Sequence, residues 1–102
     1  MTNMQGFMKQ AKDLQEKLMN TQEKIATTRY EGISGGGLVK VVFSGAGKCI
    51  SITLDSTVVT EDNKDTLEDL IIAAINNASD KIEDARNDAA STLLPPGFKL
   101  PF

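Results

Sequence analysis

The 102-residue chain has no histidine and no tryptophan, and only one cysteine, one tyrosine and three prolines. Without histidine there is no imidazole base, no His-based triad and no histidine metal site. One cysteine, Cys49, makes neither an intramolecular disulfide nor a thiolate metal cage, which fits a reducing cytosol. No apolar run reaches the length a bilayer demands. The opening Met1-Thr2-Asn3-Met4-Gln5 lacks a basic and then apolar stretch, so no signal peptide is expected. The five aromatics, Phe7, Tyr30, Phe43, Phe98 and Phe102, are scattered and supply no stacking platform for bases. These absences leave no expected cofactor, no metal, no membrane partner and no small-molecule substrate. An enzyme is poorly supported.

What is present is charge and periodicity. The formal net charge is −3, but it is unevenly spread. Residues 1–29 hold five basic side chains against three acids, a net of +2, whereas residues 55–92 hold three against ten, a net of −7. A polyanion would therefore meet the first segment and avoid the second half.

From Met4 to about Thr28 the only glycine is Gly6, and there is no proline. Met4, Ala11, Leu18 and Ile25 form one heptad row, with Phe7, Leu14, Thr21 and Thr28 in the other. A helix of about 25 residues is roughly 38 Å long, more than so small a domain covers with its own body, so it should project or pair. Around Arg29 the period changes to two. Three short strands are predicted at about Arg29–Ser34, Leu38–Ser44 and Lys48–Leu54. Gly35-Gly36-Gly37 and Gly45-Ala46-Gly47 join them, which makes an antiparallel meander with two open edges.

A second helix is expected from about Asp62 or Asn63 to Thr92, with the stripe Leu67, Ile71, Ala74, Ala78, Ile82, Ala85 and Ala89, widened by Leu70 and Ile75. Pro95-Pro96-Gly97 ends it, and an extended tail runs to Phe102. The fold class is thus α+β in a single domain, residues 1–102.

Two motifs tempt a catalytic reading. Gly45-Ala46-Gly47-Lys48-Cys49 resembles the end of a phosphate-binding loop, but Val42 stands where the leading glycine belongs, and Cys49 replaces the magnesium-holding hydroxyl. Hairpin turns account for these glycines better. The acids Glu61, Asp65, Asp69 and Asp80, Asp84, Asp88 recur four apart, which is the pattern of a solvated helix face; no other segment brings further metal ligands.

Three internal segments, Met8-Lys9-Gln10-Ala11-Lys12, Gly37-Leu38-Val39-Lys40-Val41 and Leu67-Glu68-Asp69-Leu70, together with the ending Leu94-Pro95-Pro96-Gly97-Phe98-Lys99-Leu100-Pro101-Phe102, resemble the YbaB/EbfC family. They occur in family order and span nearly the whole chain. The resemblance implies a nucleoid-associated protein in the cytoplasm, a homodimer with projecting helical arms that binds DNA mainly through phosphates, with loose sequence preference. The stretch Asn87 to Thr92 departs from the family pattern in being short and acidic. On this reading Lys9, Lys12, Lys17, Lys24 and Arg29 face DNA, and Phe7, Ala11, Leu14, Leu18 and Ile25 form the dimer seam. The alternative is a protein-interaction module that uses the acidic second helix and the Phe98/Phe102 tail.

Overall fold

The computed structural model describes residues 4–93. Helix α1 (Met4–Thr27) leads into strands β1 (Arg29–Ser34), β2 (Val39–Ser44) and β3 (Cys49–Leu54), and helix α2 (Lys64–Leu93) follows. The strands form one antiparallel sheet in the order β1-β2-β3. Each element lies within two residues of the bounds its pattern predicts. The expected tail falls outside the described residues.

The joints explain where the elements stop. Gly35 to Gly37 form a single 3-10 turn in which Gly36 takes φ 68°, a left-handed value that side chains resist. After β3, the Asp55 carboxylate accepts from the Thr57 backbone N–H (2.9 Å) and from its hydroxyl (2.6 Å), which holds its carboxyl below the usual range. Thr60 then accepts from the Asn63 N–H through its hydroxyl, and the chain enters α2.

The core is small and one-sided. Val39 and Val41 are fully buried, together with Ala74 and Ala78 of α2. Phe43, Leu67, Leu70, Ile71 and Ile75 pack around them. The helix comes very close to the sheet at Gly32 on β1. A Cβ built there overlaps the Ala74 carbonyl oxygen and lies 2.8 Å from the Ala78 Cβ, so α2 rests directly on the strand backbone. Alternation in β1 therefore places a glycine, not a large apolar side chain, beneath the helix.

The helix also closes one of the two open edges. The Ile33 N–H donates to Asn77 Oδ1 (3.0 Å), and Lys81 Nζ donates to the Glu31 carbonyl (2.7 Å). Two of the outward-facing backbone groups of β1 are thus taken by side chains of α2. At the far side β3 has no such cover, and every residue in it is exposed. Ile52 and Leu54 stand opposite Val41 and Val39, so they share the core-facing side of the sheet without being buried. A bulge at Val42/Phe43 shifts the register beside Ile50.

The molecule is long. Its extents are 74 × 24 × 18 Å with a radius of gyration of 19.8 Å, against about 13 Å for a compact chain of this length. No residue of α1 is buried. The expected projecting arm is present.

Candidate nucleic-acid interface

Helix α1 is mounted on the body at its C-terminal end. A Cβ at Gly45 would overlap the Ile25 carbonyl, so the β2–β3 turn lies flat against the last turn of the helix. The Gly45 N–H donates to the Thr28 carbonyl (3.1 Å), and Arg86 Nη2 of α2 donates to the Gly45 carbonyl (2.9 Å). Helix, turn and α2 meet at one point. From there α1 and α2 run side by side in opposite directions. The half-buried residues along this contact are Leu18, Thr21 and Ile25 on α1, and Ala85, Ala89 and Ala90 on α2.

The seam predicted from the sequence is therefore divided. Leu18 and Ile25 lie half-buried within the chain's own body, while Phe7, Ala11 and Leu14 stand exposed. Replacing Leu18 by Asp should cost about 1–3 kcal/mol, since it puts a carboxylate into that contact. Lys17→Asp, on the wet side, should change stability by only tenths of a kcal/mol. Thermal unfolding of the two variants checks the register, and equal melting temperatures would show it to be wrong.

All the predicted DNA-facing residues are exposed: Lys9, Lys12, Lys17 and Lys24 on α1, and Arg29 at the start of β1. Helical geometry sets Lys9 and Lys12 on the side of α1 away from the Phe7–Leu14–Leu18–Ile25 stripe, and Lys17 and Lys24 on its flank, roughly 90° from it. Lys9 and Lys12 are the pair held furthest from α2. This separation matters, because α2 carries seven acids against three basic residues. Two of those three, Lys81 and Arg86, are engaged with backbone carbonyls of the sheet and its turn.

Sequence reasoning passed over one basic side chain. Arg29 pairs across the sheet with Ser44, and the Ser44 N–H bonds to the carbonyl of Lys48. Exposed Lys48 thus lies at the same end of the sheet as Lys24 and Arg29, beside the root of the arm. The available signal was the hairpin itself, whose turn must return to the end of β2 where β1 begins.

Elsewhere the chemistry is sparse. Cys49 is exposed, with its thiol 3.8 Å from the Ser51 carbonyl. Among the described residues, no three Cys, Asp or Glu side chains converge as a metal site would require. Among those residues, too, no helix is long and apolar enough to cross a membrane.

These features define a class: a small α+β binding domain with a basic helical arm set apart from an acidic helix. Comparison with known proteins makes the assignment specific. The model of the YbaB/EbfC DNA-binding family matches residues 1–98. A nucleoid-associated protein of Brucella ovis is 47% identical over the full length of both chains. Nucleoid-associated proteins of Rickettsia rickettsii and Rickettsia bellii are 44% and 42% identical, again over both full lengths. The crystal structure of an uncharacterised protein from Helicobacter pylori superposes with a TM-score of 0.75, covering 93% of this chain and 100% of that one, at 21% identity; it shares the fold. The chain belongs to the YbaB/EbfC DNA-binding family.

Proposed function

We propose that this chain is a nucleoid-associated protein that binds DNA as a homodimer in the cytoplasm, with little sequence preference, and alters the shape or accessibility of the duplex. One observation carries the reading: Lys9, Lys12, Lys17 and Lys24 are all exposed on an arm in which no residue is buried, and the acids of the second half are concentrated on α2. Lysines on a helix without an aromatic platform suit phosphates better than base edges. The names of full-length relatives at 42–47% identity support the nucleoid as the place of action. The rival reading, a protein-interaction module built on the acidic helix, has no comparable support. Binding of this kind should weaken steeply with salt, because each neutralised phosphate releases counterions. A salt titration on two unrelated duplexes tests it. A flat salt response, or binding to only one duplex, would overturn it.

The homodimer we place at β3 and not along the α1 seam. With β1 capped by Asn77 and Lys81, β3 is the sheet edge left open. Its apolar side chains Ile50, Ile52 and Leu54 are 36–48% exposed on a domain too small to waste apolar surface. A second copy supplies both a pairing edge and an apolar cover. Two arms then present each lysine twice. Light scattering at micromolar concentration should give twice the 11.0 kDa chain mass, and Ile52→Lys should give a monomer. A wild-type monomer, or an Ile52→Lys variant that remains dimeric, would refute this interface.

A further inference from the structure

Strand pairing fixes what each face of the sheet carries. Residues directly opposite one another in an antiparallel sheet share a face, and neighbours along a strand alternate. Gly32 is opposite Val41 and Ser34 is opposite Val39, and these positions meet α2. The alternate positions make up the other face. Arg29 is among them, opposite Ser44. Ser44 is joined to Lys48 by two hydrogen bonds, from its N–H to the Lys48 carbonyl (2.8 Å) and from the Lys48 N–H to its hydroxyl (3.3 Å). Arg29, Ser44 and Lys48 therefore form one row across the sheet, at the end where α1 enters. Lys40 lies on the same face, four residues back along β2 and opposite Thr53.

Charge is sorted between the two sides of the sheet. Arg29, Lys40 and Lys48 are all exposed, and Glu31 is the one acid on their face among the described residues. Acidic α2 packs on the far side, with the strand backbone and the buried valines between. In a chain of net charge −3, this face has three cations against one carboxylate. It also continues the arm. Lys24 is in the last turn of α1, and Arg29 follows two residues after the helix ends. At about 3.4 Å per residue, the Arg29–Lys48 row and Lys40 stand roughly 14 Å apart along the strands. That is close to the roughly 12 Å width of the major groove. A phosphate strand fits over each, with Glu31 above the groove between them. Exposed Ser51 and Thr53 add hydroxyls of the kind that hold a backbone without reading its sequence.

We propose, resting on the DNA-binding reading above, that the sheet face turned away from α2 is a second phosphate-contacting surface, with Lys40, Lys48 and Arg29 as its cations. The duplex is then held by the lysines of the arm and by the body to which the arm is joined.

Two measurements test this surface. In salt titrations, Lys40→Gln/Lys48→Gln should lose about fivefold or more in affinity at low salt, and its salt slope should flatten by roughly 2 for each chain on the duplex. Lys64→Gln, on α2, should change neither. Trace acetylation of the unaltered protein, read by mass spectrometry, decides the matter even where the variant folds poorly. Saturating duplex should protect Lys40 and Lys48 several-fold while Lys64 reacts as before. Should wild type bind with a steep salt slope and the variant keep both affinity and slope, the sheet face is refuted and the arm's role stands. A wild type without salt-dependent binding removes both. Lysines as reactive with duplex as without it overturn the proposal. So does shielding of Lys40 and Lys48 that grows with protein concentration in the absence of DNA, since a second copy then covers this face.

Discussion

Replacing Gly32 by alanine should lower the unfolding free energy by about 3 kcal/mol or more, a large effect for a single methyl group. The new Cβ has nowhere to go. It meets the Ala74 carbonyl and the Ala78 Cβ, both on a helix that also covers fully buried Val39 and Val41. Backbone cannot rotate aside as a side chain can, so α2 must lift from β1 along its length. Lifting it also pulls Asn77 from Ile33 and Lys81 from Glu31. For a domain of this size the melting temperature should fall by roughly 12 °C or more. Gly47→Ala is the comparison. A Cβ there meets nothing within 4 Å, and only the φ of +89° resists it, at about 1–2 kcal/mol. Equal melting temperatures for the two variants would mean that α2 does not rest on β1 as described.

The second large effect concerns binding. Lys9→Glu/Lys12→Glu reverses two charges near the free end of the arm, far from the joint at Gly45. Folding should be unaffected, which circular dichroism can confirm. Affinity at low salt should fall at least tenfold, and equally on unrelated duplexes, because phosphates carry no sequence. In a dimer four phosphate contacts disappear, so the slope of log affinity against log salt should flatten by roughly 3 to 4. Lys64→Glu, at the start of α2, should leave both quantities nearly unchanged. If the arm variant keeps wild-type affinity and slope, α1 is not the DNA-facing element.

Much of this architecture was legible in the residues. Heptad rows, then period-two alternation, then the alanine-rich stripe of α2 mark the five elements, because each pattern repeats the geometry of its own backbone. Glycines mark the turns between the strands. What escaped was whatever depends on two distant segments meeting. Gly32 reads as a weak spot in a strand until α2 is laid across it. Lys81 and Arg86 read as two scattered charges, although both reach backbone carbonyls more than 40 positions away. Leu18 and Phe7 look equivalent in a heptad, and only the contact with α2 separates a half-buried residue from an exposed one. The two sheet edges look alike for the same reason. The predicted lysines are all exposed on α1, but Lys48 joins them only once the hairpin closes.

The joint at Gly45 has a mechanical consequence. The inner part of α1 is held along α2 as far as Leu18, and a stiff rod of about 21 Å projects beyond that support. A bend of about 10° where that support ends sweeps the tip of the rod through about 4 Å. Small changes along that support therefore become wide changes in the span between two such tips. A gauge built this way sets the gap it measures from its pivot, far from the jaws.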